Sequence, residues 1–419
     1  MKLETRLRIS PVVWLAPFLI PFVMWYTSRL PGTSEPYSLA LTSDGAFTVF
    51  LVSPVCAACA AWEGGRLRRA RWVELPHVRS SLVVAGESLL PVCIVGFLAV
   101  FAAVMTELLG MDVLALPDLR VLAITFAIIT AHALLGFAIG LHTPPVVSVP
   151  TMLLMTYSWL ALPHALEPPW LRHLNGAGTW LACCSLATDL APQVSAAVLV
   201  VAVGISGSAI LLLHRHIQTY HYALAIVPTA IAFIVGASLV RGFDRDPGIA
   251  RDASLLVCAP GRPQVCVWPE HHSRLQEVSE IAASAAKRWQ EVGIAVPDTF
   301  TEGVASSPTE RRFGFSLASQ RSDIIGSLAY SLLPPGQDCT FDKPPPYPGA
   351  PYAEDYLLAW FATTAGMSQT DLASRTNPDV LGTVVQIQSL PSERQRAWLE
   401  LNVAAMRACD WPPQLEASQ

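Results

Sequence analysis

The chain has 419 residues, of which 52% are hydrophobic and only 14% are charged, and its formal net charge at pH 7 is −5. This composition, together with a mean hydropathy of +0.43, is unusual for a wholly soluble protein and indicates a membrane protein. The small negative charge is spread along the chain, which argues against nucleic-acid binding because that function needs clustered basic residues.

Seven apolar segments lie between residues 11 and 240. Most of them are about long enough for a helix with a rise of 1.5 Å per residue to cross a hydrocarbon core ~30 Å thick. The sequence therefore predicts a membrane all-α bundle with seven transmembrane helices, at residues 11–27, 46–62, 82–106, 120–141, 147–165, 193–213 and 222–240. An odd number of crossings places the two ends of the chain on opposite sides of the membrane.

The basic residues in the short connections predict the orientation of these helices. One set of connections is strongly basic, whereas the opposite set contains mainly acidic residues. The basic set comprises the start of the chain and the connection between the second and third helices, with Lys2, Arg6, Arg8, Arg66, Arg68, Arg69, Arg71 and Arg79. We therefore expect a multi-pass protein of the cell (plasma) membrane with a cytoplasmic N-terminus. The first helix lacks a small-residue cleavage site, so we expect it to be retained.

The last part of the chain contains no comparable apolar segment. Residues 1–241 are therefore predicted to form the transmembrane domain, and residues 242–419 an extracytoplasmic domain. The residue pattern of the second domain predicts a small mixed α/β fold. It has two strand-like runs at 254–258 and 264–268, and helices that begin near Pro269, at residues 353–365 and near Pro391.

Four cysteines in this outer domain predict disulfide bonds, because disulfides persist outside the cytoplasm. Four cysteines allow three pairings. The turn at Pro260-Gly261 would bring the two strands together, so we pair Cys258 with Cys266 and leave Cys339 with Cys409. A zinc site is the alternative, but the spacing is not C-x-x-C and no histidine pair follows at zinc-finger distance. We therefore expect no metal site.

A short basic segment follows the second helix. Glu63 ends that helix, and Gly64 and Gly65 are expected to loosen the chain before the segment, which Pro76 terminates. Such a segment can lie across the cytoplasmic surface and face a partner protein or lipid headgroups. The alternative is a solvated run of charged residues whose only role is to orient the helices in the membrane. The residues concerned are Arg68, Arg69, Arg71, Trp72, Glu74 and Leu75.

The order of residues in this stretch resembles the permease subunits of ABC-2-type ABC transporters. In that family a Glu-Gly turn after the second helix leads through a Leu-Pro-x-x-Arg element to a Gly-Lys on the third helix. This chain has Glu63, Gly65, Leu75-Pro76, Arg79 and Gly86, with Glu87 in place of the usual Lys. The resemblance implies a coupling helix that binds a separate nucleotide-binding subunit through Glu63, Arg68, Arg69, Arg71, Trp72, Glu74 and Leu75.

A second feature is similar to the same family, whose permeases carry a helical hairpin between their fifth and sixth helices. Residues 167–188 contain short apolar pieces with Trp170 and Trp180, a pattern typical of interfacial or re-entrant helices. An ordered loop that packs on its own bundle is the alternative. The seventh helix departs from the usual six and would carry the C-terminal domain across the membrane.

The sequence lacks the motifs of an enzyme. It contains no G-x-x-x-x-G-K-[ST], H-E-x-x-H or G-x-S-x-G, and His271 and His272 are the only histidines after the last apolar segment. Glu270 beside His271 is interpreted as the polar start of a helix. We therefore predict no catalytic residue and no cofactor on this chain, and the resemblance implies ATP and Mg on a partner subunit.

Two ionisable residues within the apolar segments, Glu87 and His132, are candidates for a transport pathway, because such groups are costly inside a membrane. For Glu87 the alternative is a position only about one turn inside the cytoplasmic face, and for His132 it is a hydrogen-bonded core residue. The sequence as a whole predicts the transmembrane subunit of an ABC-2-like exporter, a homodimer or heterodimer with a similar permease in the lipid bilayer, bound to ATPase subunits. The alternative is a membrane-anchored receptor or assembly factor whose outer domain binds an envelope partner without transport.

Overall fold

The computed structural model describes residues 10–30, 35–70, 80–110, 116–213, 219–334, 349–407 and 414. The chain divides into two compact units, Met1–Ile249 and Ala250–Gln419. Each unit has its own hydrophobic core.

The first unit is a bundle of apolar helices. Its long helices are joined by short helical turns, and two short strands pair with each other near its end. The elements are α1 (Pro11–Thr27), α2 (Ser38–Ala46), α3 (Val49–Arg69), α4 (Ser81–Gly110), α5 (Leu119–His142), α6 (Pro145–Ala161), 3-10 turns at Pro163–Ala165 and Pro169–Leu174, α7 (Ala177–Ala182), β1 (Thr188–Leu190), α8 (Pro192–Leu212), α9 (Thr219–Val240) and β2 (Gly248–Ala250).

Length and composition qualify five of the described helical stretches as membrane spans: Ser81–Gly110, Leu119–His142, Pro145–Ala165, Pro192–Leu212 and Tyr222–Val240. Helices α2 and α3 qualify together, with a bend of 43° between them, and bring the number to six. Helix α1 is a shorter apolar helix of 17 residues and covers the first predicted segment. The described residues thus form a mostly helical, membrane-type unit with five or six candidate spans.

Helix α3 does not end at Glu63 as the sequence suggested. It continues through Gly64 and Gly65 to Arg69, and both glycines are buried. A Cβ atom on Gly64 would overlap the carbonyl oxygen of Phe137, and one on Gly65 would overlap the ring of Pro145. The expectation that these glycines loosen the chain is therefore wrong, because their missing side chains allow α3 to pack closely against α5 and the start of α6.

Small residues lie at several points of the contact between α3 and α5. A Cβ on Gly136 would overlap the carbonyl oxygen of Ala57, and one on Gly140 that of Ala61. Small residues four apart on both helices let two backbones approach closely, the arrangement that stabilises helix pairs in membranes by van der Waals contact. The two helices therefore form one tightly packed pair.

The second unit is mixed α/β, as predicted, and its helices enclose one apolar core around a small sheet. The strands have the order β3-β4-β5-β6, with β3 and β4 antiparallel and the other two pairs parallel. The elements are β3 (Val257–Ala259), β4 (Gln264–Val267), α10 (Leu275–Glu291), β5 (Thr299–Thr301), β6 (Glu310–Arg312), α11 (Arg321–Ser331), α12 (Gly349–Thr364), α13 (Gln369–Ala373), α14 (Pro378–Gln388) and α15 (Ser392–Arg407), with 3-10 turns at Ala253–Leu255 and Pro269–Arg274.

The hairpin predicted around Pro260-Gly261 is confirmed. Strands β3 and β4 place Cys258 directly opposite Cys266, with their Cα atoms 4.0 Å apart, and a disulfide joins them. The sulfur atoms of the adjacent Cys183 and Cys184 in the first unit are also at bonding distance. Cys339 and Cys409 lie outside the described residues, so their pairing stays a prediction.

We expect Gly136→Ala to destabilise the first unit by about 1–3 kcal/mol, because the added methyl group would force the backbones of α3 and α5 apart. The thermal unfolding midpoint of the detergent-purified protein measures this effect. Gly86→Ala on α4 is the matched control, since a Cβ there meets no atom within 4 Å. A midpoint for Gly136→Ala equal to that of the control would contradict the close-packing interpretation.

Candidate functional site

A polar cavity of about 170 Å³ lies between the start of α1, the end of α3 and the first half of α4. It brings together two acidic residues that sequence analysis had treated separately, Glu63 on α3 and Glu87 on α4. Three further polar residues share the cavity with them, and Leu67, Val84 and Pro91 form its apolar wall. The three polar residues are Ser10, Arg66 and Ser88.

Glu63 reaches this cavity because α3 continues as a helix past it. Its residue surface is only 7% exposed, and Arg66, one turn later, donates from Nη1 to Glu63 Oε2 at 2.8 Å. The last turn of α3 is basic, with Arg66, Arg68 and Arg69, and this charge favourably opposes the negative end of the helix dipole. The local sequence therefore stabilises a helix end with a carboxylate held inside the cavity.

Arg68 and Arg69 lie beyond the cavity, on the exposed end of α3. The Arg69 guanidinium stacks over the ring of Trp62 at 5.2 Å from its centroid, and Trp62 is 40% exposed. An exposed aromatic ring with a stacked cation is a feature of protein contact surfaces. The remaining predicted contact residues, Arg71, Trp72, Glu74 and Leu75, lie outside the described residues.

The structure does not bring His132 to this cavity. His132 lies on α5, is 4% exposed, and its Nδ1 is hydrogen-bonded to Ser53 Oγ of α3 at 2.8 Å. It lines a separate small cavity of about 10 Å³ together with Asn175, which is at the lower limit for a single water molecule. His132 therefore occupies a packed position in which its polar atom is satisfied across the α3–α5 contact.

Sequence reasoning missed a buried ionisable pair in the second unit. His271 is fully buried, and its Nδ1 lies 2.7 Å from Glu302 Oε1, while Glu302 Oε2 accepts a hydrogen bond from the Trp268 backbone N–H at 2.9 Å. Since 31 residues separate His271 from Glu302, no local pattern signals the pair. Because both side chains are buried, the pair is a structural link between the turn before α10 and the residue that follows strand β5.

Glu270, the neighbour of His271, faces a different partner. The Arg251 guanidinium donates two hydrogen bonds to the Glu270 carboxylate, at 3.0 and 2.8 Å, and stacks 4.7 Å from the centroid of Trp268. Adjacent residues on a helical turn point in different directions. Glu270 and His271 therefore face separate groups and do not act as a pair. Glu270 anchors the start of the second unit through Arg251.

The second unit also carries a groove of about 330 Å³ between α11, α12 and α13. Its floor is apolar, and its rim holds Tyr330, which is 56% exposed, and an ion pair between Asp323 and Arg375. The hydrogen bond from Arg375 lowers the pKa of Asp323 and keeps this carboxylate ionised. A concave surface with an apolar floor and a few polar groups has the form of a small ligand or peptide site.

Comparison with known protein families gave one match, to a domain of unknown function (DUF7224), over residues 265–409. The matched range begins within β4 and lies wholly in the second unit, and it includes the groove and the His271–Glu302 pair. No curated protein and no solved structure matched the chain. The second unit therefore resembles a recognised domain type, while the function of that domain is open.

We expect Ser53→Ala to destabilise the protein by about 1–2 kcal/mol, because it leaves the buried His132 Nδ1 without its partner. Thermal unfolding of the purified protein measures the loss, with Thr130→Ala on α5, the helix that carries His132, as the control. An unchanged midpoint would contradict the packing interpretation of His132.

Proposed function

We propose that this protein is the transmembrane subunit of an ABC-2-like exporter, which couples ATP hydrolysis by a separate ATPase subunit to movement of a substrate across the membrane. The proposal rests on the end of α3. This helix end is basic, with exposed Arg68 and Arg69, and it carries the aromatic ring of Trp62. The segment that resembles the ABC-2 coupling element follows directly, up to Leu75-Pro76.

The proposed topology counts seven crossings: the five qualifying stretches, the bent α2–α3 pair and α1. The basic connection after α3 then faces the cytoplasm, in accord with the positive-inside rule. The second unit, which follows α9, lies outside the cytoplasm, where the Cys258–Cys266 disulfide would be stable. ATP and Mg belong to the partner subunit, and the permease works as a homodimer or as a heterodimer with a similar chain.

The connection between α6 and α8 gives further support. It contains two 3-10 turns and the six-residue helix α7, at the position where ABC-2 permeases carry a helical hairpin. Trp180 in this connection is completely buried, and Trp170 packs against the same core. The short helices are therefore attached to the bundle and can follow its movements.

The packing of α3 suggests how force from an ATPase reaches the membrane. Because α3 contacts α5 backbone to backbone, displacement of its basic end must displace α5 as well. Helix α6 begins three residues after α5 ends and packs on α3 at Gly65 and Pro145. ATP binding would thus switch these three helices together between two arrangements of the bundle.

The competing function is a membrane-anchored receptor or assembly factor without transport. The observation that favours it is the groove of the second unit, with its exposed Tyr330 and the Asp323–Arg375 pair. A receptor would need this groove but no ATPase, so association with an ATP-binding cassette protein distinguishes the two functions. In the exporter, the groove would recognise the substrate or an envelope partner.

The topology is tested by adding protease to intact cells. Cleavage within residues 250–419, with the basic connection after α3 protected, is the expected result, because the basic connection should face the cytoplasm. A protected second unit would contradict the seven-crossing arrangement.

The coupling contact is tested by replacing Trp72 and Leu75 together with alanine. We expect loss of most ATPase co-purification and of transport-coupled ATP turnover, because buried aromatic anchors carry much of the energy of an interface, about 2 kcal/mol or more each. The matched control is Trp25→Ala with Leu30→Ala, which removes the same side-chain types in the last turn of α1 and just after its end at Thr27. Membrane insertion should be unchanged in both variants. A coupling variant that keeps its ATPase and full turnover would favour the receptor function.

A further inference from the structure

An open groove of about 640 Å³, here called the membrane groove, lies on the first unit between α1, α3 and α6. Each helix contributes side chains that are three or four residues apart, so each presents one face to the groove. All of these side chains are apolar, and the volume is in the range of sites for small organic ligands. The lining residues are Pro11, Leu15, Phe18, Leu19 and Phe22 of α1, Val55, Ala58, Cys59 and Trp62 of α3, and Val149 and Leu153 of α6.

The length of the membrane groove matches one leaflet of a bilayer. From Pro11 to Phe22 its α1 side advances by eleven residues, about 16 Å at a rise of 1.5 Å per residue. A hydrocarbon core ~30 Å thick gives each leaflet about 15 Å. An extended acyl chain fills the same depth, so the groove has the length and the polarity of a site for one acyl chain.

The groove begins at the basic end of α3. Ser10, which precedes α1, and Arg66 of α3 line the same polar cavity, so the start of α1 and the end of α3 lie at the same end of the bundle. Trp62 is the groove residue of α3 nearest to this end. The Arg69 guanidinium stacks over the Trp62 ring, 5.2 Å from its centroid. The first turn of the groove is therefore next to a cation.

The charges at this end select the headgroup of the lipid. The last two turns of α3, from Glu63 to Arg69, carry three arginines and one glutamate, and Arg66 donates to that glutamate. The excess charge is positive, and Arg69 is exposed. A guanidinium binds phosphate oxygens through charge-assisted hydrogen bonds. Basic residues beside a membrane helix attract lipids with a net negative headgroup.

We propose that the membrane groove binds one acyl chain of an anionic phospholipid, whose phosphate Arg69 holds beside Trp62. Charge complementarity at one end and an apolar lining of leaflet length support the same occupant. The proposal does not depend on the transport function, because lipid binding by the purified chain needs no ATPase. The ATPase contact is tested at Trp72 and Leu75, so failure of either proposal leaves the other intact. Arg69 is the one predicted ATPase-contact residue that the lipid site shares.

Native mass spectrometry of the detergent-purified, full-length protein tests the proposal. Phosphatidylglycerol and phosphatidylcholine with identical acyl chains are the probes, since only the first has a net negative charge. We expect an apparent affinity about fivefold higher for phosphatidylglycerol, which is the contribution of about one arginine at a membrane surface. Equal affinities for the two lipids would overturn the proposal, and this comparison needs no variant.

Two arginine variants separate the groove site from general attraction by the basic segment. Arg69→Gln should remove most of the preference for phosphatidylglycerol, whereas Arg68→Gln should keep it. Arg68 is the matched control because it is the adjacent exposed arginine in the same last turn of α3 and points in a different direction. Equal losses in the two variants would show non-specific attraction and overturn the proposal.

Two leucine variants test the acyl-chain part of the site. Leu153 lines the membrane groove, whereas its neighbour Leu154 does not. Both leucines are exposed on α6, at 39% and 64%, so a larger side chain at either position leaves the core unchanged. Leu153→Trp should weaken phosphatidylglycerol binding about threefold, because the indole displaces the chain and its van der Waals contacts. Leu154→Trp should bind normally, and equal affinities of the two variants would overturn the proposal.

The same measurements distinguish the other possible occupants. Inorganic phosphate should raise the thermal unfolding midpoint less than phosphatidylglycerol does, and equal stabilisation by the two would overturn the acyl-chain site. Native mass spectra also report the number of chains in each complex. Loss of a dimer in Leu153→Trp with unchanged lipid binding would assign the groove to a second copy and overturn the proposal.

Discussion

The close contact between α3 and α5 is the interaction on which the first unit depends. Inside a hydrocarbon medium the hydrophobic effect does not drive helices together, so the pair relies on dispersion forces between backbones that approach closely. Glycine and alanine provide this approach at Ala57, Ala61 and Gly64 on one helix and at Gly136 and Gly140 on the other. The same contact fixes the position of Ser53 opposite His132 and places Glu63 at the edge of the polar cavity.

Polar groups within the bundle are mostly paired, as a low-dielectric surrounding demands. Ser53 satisfies His132, Asn175 donates to the carbonyl oxygens of Trp159 and Leu160, and Ser208 is hydrogen-bonded to Thr229. Other buried polar atoms of the bundle, among them Ser43 Oγ and Trp180 Nε1, have no hydrogen-bond partner among the described residues.

The second unit is stabilised in a different way, by a conventional apolar core and specific links at its margins. Trp289 is buried and donates from Nε1 to the carbonyl oxygen of Phe361 at 2.9 Å, which connects α10 to α12. The Cys258–Cys266 disulfide and the His271–Glu302 pair fix the strands and the turn before α10. This unit therefore has a hydrophobic core of its own.

The sequence by itself determined the features that depend on local periodicity and composition: the positions of the apolar helices, the mixed α/β character of the second unit, and the Cys258–Cys266 hairpin, whose turn residues lie between its two strands. It misjudged Gly64 and Gly65, because a glycine pair has the same local signature whether it loosens a chain or admits a neighbouring helix. The pairs Ser53–His132 and His271–Glu302, and the meeting of Glu63, Glu87 and Ser10 in one cavity, were decided only by tertiary structure. Each joins residues from separate elements, and only the packing of those elements determines which polar side chains become neighbours.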